Sequence, residues 1–174
     1  MADAGQLIFV LAGPAAQVDK VKPYTKGVMG RAIIDFSDQD FSKALLLKII
    51  GNTMVLQMVE SVSEGHTIAE RSGLGVENLH GFIDTMFGGP FSGYSNRLRN
   101  GDYYKREEPL FAVDLALKDT RHALSLAAVS GVRMRAMEVV QQHLTGVKEH
   151  CGAKGDIAGI YGAVRQESGL KFEN

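Results

Sequence analysis

The sequence predicts a mainly α, multi-helix protein that opens with a short β-α-β unit. Strand-forming apolar runs occur only near the start, at residues 7–12 and 31–36. From Gln39 onward the apolar pattern is helical to the end of the chain. The 174 residues are 45% hydrophobic and 22% charged with only 4 prolines, a composition that can bury a core and is neither disordered nor collagen-like.

Taken in order, Leu7-Ile8-Phe9-Val10-Leu11-Ala12 is a short strand, punctuated by Gly13-Pro14. Val18, Val21 and Tyr24 then recur at helical spacing, and Pro14 suits the first turn of that helix, where its missing N–H costs nothing. Lys26-Gly27 and Gly30 stop the helix before the second strand, Arg31-Ala32-Ile33-Ile34-Asp35-Phe36. Parallel strands are normally buried on both faces by further units. The opening is therefore expected to be the end of a larger sheet whose remainder is missing, which divides the chain at 1–36 and 37–174.

The second region is expected to be all helical. A long helix is predicted over residues 40–71, closed by Ser72-Gly73 with Arg71 in its last turn. Shorter helices are predicted over 76–87, before the Gly88-Gly89-Pro90 break, and over 94–99, 110–130, 134–150 and 156–168. Residues 100–109 read as a long polar loop, a place for a site or an interface.

Charge and composition exclude several classes. With 19 Lys and Arg against 20 Asp and Glu, the net charge is -1, so no long-range field draws in nucleic acid or an anionic membrane. No run approaches the roughly 18 uninterrupted apolar residues of a membrane span. Cys151 stands alone, which excludes an intrachain disulfide and fits a reducing compartment, the cytoplasm first and the mitochondrion second. His66, His80, His122, His143 and His150 show no zinc-site spacing, so no metal is expected. No G-x-G-x-x-G follows a strand, so the dinucleotide fingerprint is absent.

The most informative stretch is Leu45-Leu46-Leu47-Lys48-Ile49-Ile50-Gly51-Asn52. Consecutive apolar residues point all round a helix, so this segment is expected to be buried on most sides. A buried lysine has a lowered pKa and can accept and return a proton near neutrality. Asn52, one turn on, can hold a substrate oxygen beside the ammonium, and Gly51 suggests a ligand or second backbone coming close. The competing reading has Lys48 snorkelling to water past an apolar stem. A second constellation spans Phe111, Asp114, Lys118, Asp119, Arg121 and His122, where Asp114 and Lys118 can simply pair at i,i+4 on a solvated face. Glu60 and Glu64, at i,i+4, read as facing water or another helix ahead of forming an acid pair, and Arg97, Arg99, Lys105 and Arg106 as solvated loop cations ahead of binding a substrate carboxylate or phosphate across a dimer.

Together, Lys48-Ile49-Ile50-Gly51-Asn52 and Phe111 through Lys118-Asp119, with the short late match Asp156-Ile157-Ala158, resemble the C-terminal domain of the β-hydroxyacid dehydrogenases, a family that includes 3-hydroxyisobutyrate dehydrogenase and, more distantly, 6-phosphogluconate dehydrogenase. The resemblance covers nearly the whole chain. It implies a 6-phosphogluconate dehydrogenase C-terminal-like helical domain for substrate binding and dimerisation, preceded by the last β-α-β of a Rossmann domain. It further implies Lys48 as catalytic lysine, Asn52 as substrate-orienting, Phe111 and Asp119 as shaping or supporting the substrate pocket, and Lys118 as reaching the cofactor. That cofactor is NAD or NADP, bound mainly by the missing N-terminal domain, and the substrate is a small hydroxy acid or its oxo form. A homo-oligomer through the helical domain is implied as well.

Two positions depart from the family pattern. Asp38 through Ala44 replace a glycine-rich approach to the lysine, and Gly51 stands where many members carry asparagine or histidine. Both touch the pocket and bear on substrate identity. The functional expectation is an NAD(P)-dependent oxidoreductase acting on CH–OH, inactive as this fragment alone; the alternative is a non-catalytic helical module for dimerisation or ligand binding.

Overall fold

A computed structural model describes residues 3–174, which divide into two compact units, the first ending at Gly51 and the second spanning Asn52–Asn174. The first contains β1 (Leu7–Gly13), α1 (Ala15–Val21), β2 (Gly30–Ser37) and the opening turns of α2 (Ser42–Arg71). β1 and β2 pair in parallel, with Phe9 opposite Ile33 and Leu11 opposite Asp35, as the sequence predicts. A parallel pair needs a crossover, supplied by α1, whose Val18 is buried, and the 3-10 turn Lys22–Tyr24. Gly30 permits the strands to close: a Cβ there would lie 2.5 Å from the carbonyl oxygen of Leu7. Just past β2, the Asp38 carboxylate accepts the Ala15 N–H at 2.9 Å, satisfying a donor that the start of α1 leaves open.

The second unit holds the rest of α2 with α3 (Val76–Met86), α4 (Gly89–Arg99), α5 (Asp102–Lys105), α6 (Val113–Val129), α7 (Arg135–Cys151) and α8 (Ile160–Glu167). Its core forms one cluster, in which Leu56, Val59 and Val62 of α2 join Val113 and Ala116 of α6, Val140 and Leu144 of α7, and Ile160 and Tyr161 of α8. Each large aliphatic side chain buried in this way contributes roughly 1.5–3 kcal/mol. The chain end folds back into the same core. Phe172 is 1% exposed, the Tyr103 hydroxyl donates to its carbonyl at 2.6 Å, and Gly162 leaves space that a Cβ would take 2.5 Å from its ring. The fold is thus mainly α, with two parallel strands at the start.

The boundary between the two compact units falls inside α2. Several expectations are corrected. α4 begins at Gly89 because Pro90 fits the first turn of a helix as readily as it ends one, and the polar segment after it folds a turn, α5. The apolar run of α2 is not buried on most sides: Leu45 is 63% and Ile50 52% exposed, and Lys48 is exposed too. No uninterrupted apolar run is long enough to cross a membrane, but a window of α2 is long and apolar enough on average to do so, by length and composition only, and 28% of that window is buried. No described atom lies within 4 Å of a Cβ built on Gly51, so no second backbone approaches it. Asp114 pairs with Lys148 across α6 and α7 at 2.7 Å, and its i,i+4 neighbour Lys118 pairs instead with Asp119.

Candidate active site

α2 presents its buried residues Leu56, Val59, Ser63 and His66 at steps of three and four, which places them along one stripe of the helix. Asn52 begins that stripe in the second unit, and Lys48 lies one turn earlier on the same helix. The Asn52 amide donates to Asp119 Oδ2 at 2.5 Å. An ionised carboxylate has no proton to give, so the nitrogen of the amide must face it. This leaves Asn52 Oδ1 as an acceptor and its second N–H as a donor, held in one orientation.

Asp119, on α6, is 4% exposed. Burying a carboxylate is costly unless it is paired and hydrogen-bonded, and Asn52 and Lys118 answer that cost. Lys118 Nζ lies 3.2 Å from Asp119 Oδ1 while its side chain remains 45% exposed. One carboxylate therefore binds an oriented amide on one side and a cation that reaches the surface on the other. The Lys118 charge is thus anchored yet open to solvent.

Phe111 is half-buried against the core, and it is fixed through Asp156. Asp156 Oδ2 accepts the N–H groups of Leu110 at 2.7 Å and Phe111 at 3.0 Å. Asp156 Oδ1 accepts the Ala158 N–H at 2.8 Å and Arg97 Nη2 at 2.9 Å. In return the Phe111 carbonyl takes the Ile157 N–H at 3.0 Å. The structure thus gathers Asn52, Lys118 and Asp119 into one bonded cluster and ties Phe111 to a different carboxylate.

Sequence reasoning missed the weight of Asp156 and Arg97. Arg97 is no solvated loop cation: it sits on α4 between Asp102 at 2.7 Å and Asp156, its guanidinium over the Tyr94 ring. The signal for Asp156 was an aspartate opening a turn, since its side chain caps Ile157–Gly159. Glu60 does face another helix, where its Oε1 lies 2.7 Å from His143 Nδ1 of α7, and His143 Nε2 lies 2.9 Å from Glu167. The Glu60 hydrogen bond leads in raising the His143 pKa to about 9, against the opposing effect of burial. His66 is fully buried against Ser95 Oγ at 2.7 Å, and burial pushes its pKa down to about 4.

The helical unit resembles known proteins. The chain is 34% identical over 167 residues to the NADH-dependent oxidoreductase ucdB of Aspergillus ustus, covering 95% of this chain and 55% of that protein. It is 27% identical to the uncharacterized oxidoreductase YfjR of Bacillus subtilis, covering 84% of this chain and 50% of that one. The chain therefore spans about half the length of the curated relatives it matches. In fold it is similar to 3-hydroxyisobutyrate dehydrogenase from Salmonella typhimurium, with TM-score 0.78 and 18% identity over 92% of this chain and 55% of that one. The Mycobacterium tuberculosis 3-hydroxyisobutyrate dehydrogenase, solved with L-serine, matches at TM-score 0.74 and 19% identity over 94% of this chain and 57% of that one. Residues 43–164, which include all of the Asn52–Asp119–Lys118 cluster, match the family model described as NAD-binding of NADP-dependent 3-hydroxyisobutyrate dehydrogenase, and the chain belongs to that family of NAD(P)-dependent oxidoreductases.

Proposed function

We propose that this chain supplies the substrate side of an enzyme that moves hydride between NAD or NADP and a small β-hydroxy acid or its oxo form. The observation that carries this reading is the Asn52 amide locked onto buried Asp119; Lys48 precedes Asn52 by four residues in the sequence. Bound nicotinamide supplies or takes the hydride. The alcohol oxygen must lose a proton, or the carbonyl oxygen gain one, in the same transition state, and Lys48 is the general base or acid that does so. Asn52 holds that oxygen in line, which lowers the barrier through orientation. Asp119 keeps the amide in its working orientation, and Lys118 anchors the cofactor. Phe111 forms an apolar wall whose backbone Asp156 fixes.

The test is hydride transfer in a protein that carries this chain joined to a dinucleotide-binding half, followed by nicotinamide absorbance with a panel of small β-hydroxy acids that includes 3-hydroxyisobutyrate and L-serine. Turnover with at least one of them, lost in Asn52→Ala, is expected. Absence of turnover on every member would return the chain to a non-catalytic helical module.

A further inference from the structure

The first N–H groups of a helix need acceptors, and Ala112, which opens α6, has no side chain that can cap it. A distant piece of chain supplies the acceptor instead: the Val113 N–H donates to the Gly155 carbonyl at 2.8 Å. Gly155 permits that approach, since a Cβ there would lie 2.8 Å from Val113 Cγ1. Ala112 and Asp156 form an isolated antiparallel bridge, so residues 110–113 and 155–157 make a short clasp at the start of α6. The Asp156 carboxylate closes the clasp through the N–H groups of Leu110, Phe111 and Ala158. Its remaining partner is Arg97, whose Nη2 holds Asp156 while its Nε holds Asp102. Asp102 is itself held on its other oxygen by Arg106 at 2.9 Å.

We infer that Arg97 is a positioning residue for the proposed reaction. By tying α4 and α5 to the clasp it fixes where α6 begins, and so where Asp119 meets Asn52. This rests on the hydride-transfer reading of that site. Asp119 follows Val113 by six residues on one continuous helix, about 9 Å at 1.5 Å per residue. Val113, Ala116 and Asp119 are all buried on that helix, and a packed helix moves as a unit, so a displacement at its start reaches Asp119. The Asn52–Asp119 bond is 2.5 Å long, and such a bond is lost once its atoms separate by about 3.6 Å. Arginine suits this task because its planar fork aims two nitrogens at two carboxylates in fixed geometry, whereas lysine offers one nitrogen on a flexible stem.

The test compares the parent with Arg97→Lys and with the control Arg99→Lys, which lies on the same helix and has its own ion pair to Glu77 at 2.6 Å. Arg97→Lys leaves Asp102 its Arg106 and Asp156 its three backbone donors, and circular dichroism checks that the helices persist. Nitrogen-15 NMR of the 174-residue chain follows the Asn52 side-chain amide, assigned by its loss in Asn52→Ala. Arg97→Lys is expected to shift that resonance and speed its hydrogen exchange well below the melting temperature, and the control to leave both unchanged. In the protein that joins this chain to a dinucleotide-binding half, Arg97→Lys should raise KM for the hydroxy acid and lower kcat/KM roughly fivefold, and should add nothing further in an Asp119→Ala background. An Asn52 resonance that Arg97→Lys leaves unchanged would overturn the proposal, and so would a loss of kcat/KM that persists in full without Asp119. Turnover missing from the parent itself would count against the hydride-transfer reading alone, because the Asn52 resonance is read without substrate.

Discussion

The Asn52 amide nitrogen lies 2.5 Å from Asp119 Oδ2, and this bond joins residues 67 positions apart in the sequence. It turns a flexible amide into a fixed pair of one acceptor and one donor.

Asp119→Ala should release that amide and leave Lys118 without its anchor. In the hydride-transferring protein the expected result is a rise in KM for the hydroxy acid and a fall in kcat/KM of about tenfold or more. Asp119→Asn, which keeps the shape and one acceptor oxygen, should recover part of the loss in the same steady-state assay. Equal kinetics for Asp119→Ala and the parent would remove Asp119 from the site.

Asp156 receives four donors while 2% exposed. Asp156→Ala takes one of its two carboxylate partners from half-buried Arg97, which keeps Asp102, and the acceptor from three backbone N–H groups; removing one partner of a buried pair costs up to about 3–5 kcal/mol. Urea unfolding followed by far-ultraviolet circular dichroism measures it. A loss below about 1 kcal/mol would mean that water replaces the carboxylate easily.

Gly51→Ala tests the opposite sign. Glycine inside a helix costs about 1 kcal/mol relative to alanine, and no described atom approaches the new methyl, so the chain should gain up to about that much in the same unfolding experiment. If stability rises while KM for the hydroxy acid also rises, the glycine serves the bound substrate. A loss of stability would show a neighbour close to Gly51.

His143 sets a pH dependence. Its folded pKa, raised to about 9 chiefly by the Glu60 hydrogen bond, exceeds the ordinary value near 6.5. The protonated ring is therefore favoured by folding, and its stabilisation is complete below pH of about 6.5 and lost as pH rises through about 9. Melting temperature followed from pH 6.5 to 10 should fall more steeply for the parent than for His143→Gln. Parallel curves would mean that Glu60 and Glu167 contribute nothing through charge.

The helices were legible because their signal is local. Periodic apolar residues, Gly73 after Arg71 and the Gly88-Gly89-Pro90 break place most boundaries of α2, α3, α6 and α7 within a few residues. The two parallel strands were legible from two short apolar runs split by turn signals. The errors arise where a partner distant in sequence decides the outcome. Asp114 stands at i,i+4 from Lys118 yet takes Lys148, since α7 packs alongside α6. Arg97 looks like a loop cation until the chain brings Asp156 to it. The exposure of Lys48, Leu45 and Ile50 has a different origin. An all-round apolar helix states that it will be covered, and the covering surface need not come from the same stretch of chain.

The most direct measurement is the turnover of Lys48→Ala, beside Lys48→Arg, in a protein carrying this chain and a dinucleotide-binding half. The result expected is a fall in kcat of roughly 100-fold or more, the scale of a lost general acid/base, with little change in melting temperature because Lys48 is exposed. Arginine keeps the charge but cannot exchange its proton near neutrality, so Lys48→Arg should be equally slow. Turnover near that of the parent in either variant would contradict the assignment of Lys48 as the group that moves the proton.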